Sequence, residues 1–178
     1  IAPGNSIGTL TIDGDYTQAA SARLVAEILP PDQADLLRVT GSANLLGGTL
    51  VASSLGDGYT IGQQYRILSA EGGITGGFSS IDSSGLSPFL ALSLLQSANA
   101  VDVDVIRGAA LASAATSGNQ FATAAALDAL PLSQGLLQPL TRLDVAQARG
   151  AFDQLSGEAH ASARQVLVAT CCSISPEA

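Results

Sequence analysis

The chain contains no methionine, no tryptophan and no lysine, and only two cysteines. Without lysine, seven arginines face 15 acidic residues and the net charge is −8. Nucleic-acid affinity rests on clustered Lys and Arg, so a phosphate-binding surface is not expected. An anionic membrane surface is excluded on the same ground. Charged residues are 12% of the chain, about half the usual share. Four Phe and three Tyr are the only aromatics, which leaves Leu, Val, Ile and Ala to fill a core. Lacking Met, the chain reads as a fragment or processed product, with any secretory signal lying upstream of Ile1. Cys171 and Cys172 are adjacent; the loop they would close is trivial, and no cluster of His or Asp beside them suggests a metal site. They read as tail thiols without structural duty. Long hydrophobic runs are missing too. The longest uncharged stretch, Gly108 to Leu127, is mostly Ala, Ser, Thr and Gly rather than the ~20 strongly apolar residues of a membrane span. The aromatic girdles of a membrane barrel are absent as well.

What is present is alternation. From Gly8 to about Arg107, short period-2 segments are bounded by Gly, Asp, Asn and Ser, the pattern of half-buried strands. Leu10, Ile12 and Tyr16 share a face in "GTLTIDGDYTQ"; Leu24, Ala26 and Ile28 do so in "ARLVAEIL", and Leu37 and Val39 in "DLLRVTG". "GGTLVAS", "QYRILSA" and "AVDVDVIR" continue the series. No helical period between them is long enough for crossover helices, so a doubly wound α/β sheet is not expected.

Strands this short suit a solenoid, a sandwich or a barrel. The recurring corner–strand–corner phrases "GTLTIDGDY" and "GGTLVA" favour a coiled sheet. In such a sheet, glycine takes the corners and aliphatic side chains stack inward between layers. A sandwich more often shows aromatic core anchors. "SSLGDGYTIGQQYRIL" places Asp57-Gly58 between two extended runs, which predicts a hairpin. "AEGGITGGF" predicts a second tight turn. Together these put a hairpin cap on the last layer within Tyr59 to Phe78, where bare strand edges would otherwise invite foreign pairing.

After Arg107 the period changes. Gly108 to Gly118 is a linker by composition. Ser117-Gly118-Asn119-Gln120 fits a capping box opening the helix "NQFATAAALDAL", which Pro131 stops. Leu132, Leu136, Leu140 and Leu143 recur at helical spacing, in a piece that Gly135 and Pro139 keep short or bent. Asp144 with Gln147 repeats the capping arrangement. Val145, Ala148, Phe152 and Leu155 then form an apolar stripe, which Ala159, Ser162 and Val166 extend past Gly157.

Five phrases, "PGNSIGTLTIDGDYTQ", "DLLRVTGSANLLGGTL", "GQQYRILSAEGGITGGF", "ALDAL" and "AFDQLSGEAHAS", occur in an order and spacing that resemble the C-terminal end of an autotransporter passenger running into the linker before its outer-membrane barrel. The likeness runs from Pro3 to about Val168. "TCCSISPEA" departs from the pattern, and the expected barrel does not follow it. The resemblance implies a mainly β protein: the last rungs of a right-handed parallel β-helix, capped by β-hairpins and followed by α-helical segments. It implies residues 1–107 as β-helix end and autochaperone-like cap, 108–118 as linker, 119–170 as the helical region before the absent translocator barrel, and 171–178 as tail. It further implies a type V secreted or cell-surface protein of a Gram-negative bacterium, partnered by its own barrel and by upstream passenger rungs. The expected function is non-catalytic: capping the β-helix and promoting passenger folding and translocation, with no cofactor. Adhesion to host or bacterial surfaces through the exposed Ser, Thr and Asn ladder is the alternative, and a hydrolase a weaker one. The isolated chain, with an open first rung, could also pair as a homodimer.

The residues offer little chemistry against this reading. His160, the only histidine, lies near Asp153, Ser156, Glu158 and Ser162, with Ser156 one helical turn away. The cluster is local to one helix, outside the strained turn of hydrolase nucleophiles, and has no oxyanion hole. Asp102 and Asp104 alternate with Val101, Val103 and Val105; two carboxylates alone make a poor calcium site, and a water-facing strand side explains them. Asp13 and Asp15 flank Gly14 as turn residues. "GDGYTIG" and "GGITGG" are not phosphate loops, since no Lys and no helix follow. No catalytic, cofactor or metal residue is therefore expected.

Overall fold

The structure, a computed structural model, describes residues 1–3, 6–131 and 135–157. The chain forms two compact units, residues 1–109 and 110–178. The first is made of β-strands and the second carries the helices.

In the first unit the chain visits three sheets in rotation, three times over. The first pass lays down β1 (Thr9–Ile12), β2 (Tyr16–Gln18) and β3 (Arg23–Leu29), after which β4 (Gln33–Ala34) turns back on β3. The second pass supplies β5 (Leu36–Val39), β6 (Ala43–Leu45) and β7 (Thr49–Ser54). The third supplies β8 (Gln64–Ala70), β9 (Ile74–Gly76) and β10 (Ser80–Ser84). Each strand pairs in parallel with its counterpart one pass away: β1-β5-β8, β2-β6-β9 and β3-β7-β10. The strands β11 (Leu90–Gln96) and β12 (Ala100–Arg107) form an antiparallel hairpin, and β12 joins the first sheet beside β8. None of these sheets closes into a barrel. Two facing antiparallel sheets, the sandwich alternative, are not what these residues form.

Register follows from the alternation read in the sequence. Leu24, Ala26 and Ile28, then Leu37 and Val39, then Leu50 and Ala52, and finally Val103 and Val105 are all fully buried. Each Leu or Ile so buried contributes roughly 1.5–3 kcal/mol. Leu10, Ile12 and Tyr16 all join this core, but the bend at Asp13–Asp15 puts β1 and β2 in different sheets, so they do not share one strand face.

The corners explain the glycine punctuation. Gly41 N donates to Gly14 O, and Gly72 N donates to Gly41 O, both at 2.9 Å. A Cβ on Gly41 would lie 2.7 Å from the Gly14 carbonyl atoms and 2.3 Å from Asp15 Oδ1; one on Gly72 would lie 2.9 Å from Gly41 C. Backbones stacked this closely leave no room for a side chain.

One expectation fails here. Asp57-Gly58 does not turn a hairpin: β7 pairs in parallel with β3 and β10, and never with β8. Gly56, Gly58 and Gly62 all have positive φ, and the loop uses them to carry the chain from one sheet to the next. "AEGGITGGF" likewise turns a corner between β8 and β9, which lie in different sheets. The hairpin is instead at Leu90–Arg107, turning through Ser97, Ala98 and Asn99. Dipeptide turn chemistry fixes a tight bend; layer-to-layer pairing decides which strands it joins.

In the second unit, Leu111–Ala114 form one 3-10 turn within the stretch expected as a linker. Asp128 accepts from Leu111 N and Ala112 N at its start, at 2.9 and 3.0 Å. Helix α1 (Gly118–Asp128) is capped by Ser117, whose hydroxyl accepts from Gln120 N, and it ends before Pro131. The box is not reciprocal: Gln120 Oε1 accepts from Thr116 N and Oγ1 instead. Helix α2 (Leu137–Leu140) is one turn, and α3 (Val145–Leu155) opens on the full Asp144–Gln147 capping box. Of the expected stripe, Ala148 and Phe152 are fully buried while Val145 and Leu155 are exposed. Leu132, Ala159, Ser162 and Val166 lie outside the described residues.

Asp35 ties the first strands of the unit together. Buried to 1% exposure, it accepts from Gly8 N and from Glu27 N, each at 2.9 Å. Asp35→Ala leaves two donors unpaired, so it should cost about 2–4 kcal/mol and lower Tm by roughly 10–20 °C. Thermal unfolding followed by circular dichroism checks this. Gly41→Ala should cost ~1–3 kcal/mol through overpacking, measured in the same way.

Candidate functional site

The stacked layers have two ends, and they are finished differently. At the trailing end, β12 covers β8, and β9 is met by the hairpin turn: Ile74 N donates to Ala98 O at 2.7 Å and Gln96 Nε2 to Gly76 O at 2.8 Å. Asn99 Nδ2 donates to Ala70 O at 2.9 Å. Leu90, Leu92, Val101, Val103 and Val105 close the core beneath, while β10, which pairs with β7 alone, lies beside β11 without pairing to it.

At the leading end the three strands differ. In a strand the N–H and C=O of alternate residues point to alternate sides. Leu36 N donates to Gly8 O and Thr40 N to Ile12 O, so the even residues of β1 face β5, and Thr9 and Thr11 face outward. In β2, Tyr16 N donates to Ser42 O and Gln18 O accepts from Leu46 N, so Thr17 faces outward. β1 pairs with β5 alone and β2 with β6 alone, so among the described residues no strand covers these edges. The edge of β3 is occupied. Ile1 N donates to Arg23 O and Ile1 O accepts from Val25 N, both at 2.8 Å. Glu27 N meets Asp35 Oδ2, and Glu27 O accepts from Asp35 N at 2.8 Å. β4 pairs with Ile28 and Leu29. The burial difference agrees: Leu24, Ala26 and Ile28 are fully buried, whereas Leu10 and Ile12 are half-buried.

Most of the polar groups singled out in the sequence have structural partners. Asp13 Oδ1 accepts from Thr40 Oγ1 at 3.0 Å and Asp15 Oδ1 from Ser42 N at 2.7 Å, both as corner ties. Asp102 accepts from Arg66 Nε at 2.9 Å and Nη2 at 3.3 Å. Asp104 lies on the same side of β12, partly covered, with its Oδ1 unpartnered. Among the described residues no three His, Cys, Asp or Glu side chains are grouped to hold a metal ion. Asp153 accepts from Gln120 Nε2 with both oxygens, at 2.9 and 3.1 Å, and Ser156 Oγ donates to the Asp153 carbonyl at 2.8 Å. These two neighbours of His160 in sequence are therefore engaged with a helix neighbour and a backbone carbonyl. His160, Glu158, Ser162, Cys171 and Cys172 lie outside the described residues. No helix among the described residues is long and apolar enough to cross a membrane.

No protein-family model and no curated protein matches the chain.

Sequence reasoning did not find the divided leading edge or Asp35. "PPDQADLL" offers two aspartates, and nothing local says that Asp35 is the buried one. The trailing hairpin did have a signal, "SAN" between two alternating runs.

The tyrosines face inward, and burial raises the pKa of Tyr16, Tyr59 and Tyr65, that of Tyr65 to about 12. Burial is the main cause for Tyr65, with Tyr59, 6.2 Å away between ring centres, and Asp32 adding to it. Tyr59 donates to Ile28 O at 2.6 Å, tying the loop to the core. A folded-state pKa above the unfolded value of about 10 means stability is intact below pH 10 and falls as pH rises towards 12. Absorbance at 295 nm should show Tyr65 ionising only near 12 or together with unfolding; an early, separate transition at 10 would contradict its burial.

Proposed function

We propose that this chain is the closing end of a right-handed parallel β-helix: the last rungs and autochaperone cap of a secreted autotransporter passenger, leading through helices to a translocator barrel. Its role is structural and non-catalytic. It seals one end of the coil and presents the other to passenger rungs upstream, promoting folding and export to the surface of a Gram-negative bacterium.

The observation that carries this reading is the asymmetry of the ends. A stack of parallel layers is expensive to begin, because the first layer fixes many backbone angles before neighbours reward it. A last layer whose first sheet is covered by a hairpin strand, and a first layer that no strand among the described residues covers on two of three sheets, fit a template extended from the leading end. The rotation of nine strands through three sheets supports the coil. The adhesin alternative draws less support: part of its Ser, Thr and Asn ladder is engaged internally, with Thr75 Oγ1 donating to Asn44 Oδ1 at 3.2 Å and Thr49 Oγ1 lying 2.9 Å from Ser80 Oγ.

The test is removal of the hairpin, Leu90–Arg107, from the parent passenger. Surface display, scored by protease accessibility on intact cells, should be lost while the polypeptide is still made. Normal display would overturn the proposal. In the isolated chain, Asn99→Ala should cost about 1 kcal/mol, since it removes the Nδ2 ties from the hairpin to Ala70 O and Glu71 O; urea unfolding measures it.

A further inference from the structure

We infer that Asp57-Gly58 is a site of spontaneous covalent modification, where aspartate converts to isoaspartate through a cyclic imide, and that Thr40 holds the same dipeptide at Asp13-Gly14 back from that reaction. The inference uses only exposure and hydrogen bonding around the two dipeptides, and stands whether or not the secretion reading holds.

The chemistry needs no cofactor. The Gly58 main-chain N attacks Asp57 Cγ. The new N–Cγ bond closes a five-membered imide, and a carboxyl oxygen leaves with two protons as water. Water then reopens the ring. Cleavage of the N–Cγ bond restores aspartate; cleavage between that N and the main-chain carbonyl carbon leaves the chain running through Cβ and Cγ instead. No electrons are transferred, and the water released is regained. Glycine favours the attack because it has no Cβ to obstruct the approach to its nitrogen.

The chain contains this dipeptide twice, and the two copies match in exposure and backbone. Asp13 and Asp57 are both exposed. Gly14 and Gly58 both have positive φ, 120° and 104°. A Cβ built on Gly14 meets nothing within 4 Å, and one on Gly58 meets only Pro30 Cβ, at 4.0 Å.

They differ in hydrogen bonding. Gly14 N donates to Thr40 Oγ1 at 2.9 Å, and Thr40 Oγ1 donates to Asp13 Oδ1 at 3.0 Å. One hydroxyl thus engages both the nucleophile and the carboxylate, and Gly14 O is held in turn by Gly41 N. Ring closure at Asp13 has to break these ties. Among the described residues, neither the Asp57 carboxylate nor the Gly58 N–H has a hydrogen-bond partner. The next residue, Tyr59, is anchored through its hydroxyl to Ile28 O and Leu55 O. The added main-chain carbon enters the loop from β7 to β8 directly before this anchor, so the modification alters the passage from the second layer to the third.

The test keeps the full 178-residue chain folded for several weeks in mildly acidic to neutral buffer and then cleaves it at arginine. Asp13 falls in residues 1–23 and Asp57 in residues 39–66, where it is the only aspartate. Electron-transfer fragmentation tells isoaspartate from aspartate at equal mass, and labelling by an isoaspartate-specific carboxyl methyltransferase gives an independent readout. Isoaspartate should accumulate at Asp57 about tenfold faster than at Asp13, where two hydrogen bonds must open first. In urea the two rates should converge, because the unfolded dipeptides are chemically alike. Thr40→Val removes the hydroxyl and should raise the Asp13 rate towards that of Asp57. Asp57→Glu, which would need a larger ring, should abolish the signal in residues 39–66. The comparison of folded and urea-unfolded unaltered chain serves as the test should Thr40→Val fold poorly. Equal rates at the two sites in the folded chain, or an Asp57 that reacts in urea and not when folded, overturn the inference.

Discussion

The parallel hydrogen bond between successive layers is the interaction on which the first unit depends. β5 satisfies the inner side of β1 and then needs β8 to satisfy its own other side. The debt passes along the stack and does not vanish at the last strand. Every other feature of the unit is a response: close-stacked glycine corners that let backbones approach, inward side chains that are mostly aliphatic, and special devices at the two ends.

Those devices differ in kind. The trailing end is covered over β8 and β9 by main chain and side chain together, with β12 paired to β8, Gln96 and Asn99 reaching back to carbonyls, and the hairpin leucines covering the core, while β10 keeps an unpaired outer edge. The leading end uses a carboxylate, one terminal residue and a two-residue strand, all directed at β3. Closing one sheet out of three is enough to bury Leu24 and Ile28 completely, while Leu10 and Ile12 stay half covered. The exposed pairs Arg23–Asp82 and Arg38–Glu71, at 3.3 and 2.8 Å, add little, as exposed ion pairs generally contribute about 0–1 kcal/mol. Backbone satisfaction and burial determine stability here, which is consistent with a chain that has so few charges.

Much of this was legible in the sequence, and the rest was not for physical reasons. Inward faces at Leu24–Ile28, Leu37–Val39 and Val101–Val105 follow from period-2 alternation, since one face of each strand must meet the core. The Asp144 cap on α3 is local, set by three residues, and it forms as read. Partner choice is not local. Asp57-Gly58 carries the chemistry of a hairpin turn, but β7 finds better pairing with β3 and β10, residues distant in the chain. Gln120 was read as half of a capping box; Asp153, far along the chain, accepts from its amide, and Thr116 donates to its carbonyl. Turn and cap residues specify a bend or a helix start, and tertiary contacts decide what their remaining hydrogen-bonding groups meet.

Asp35 shows how far a single such contact reaches. Its neighbours β4 and β5 belong to one continuous stretch, yet its two oxygens bond to the beginning of β1 and to the middle of β3. An acidic side chain is ordinarily an expensive occupant of a buried site. Here it accepts two backbone donors and so replaces a piece of missing strand. A further full layer would supply those hydrogen bonds from its own backbone. A carboxylate in that place therefore stands in for a strand beside β3, and Thr9, Thr11 and Thr17 have no such substitute among the described residues.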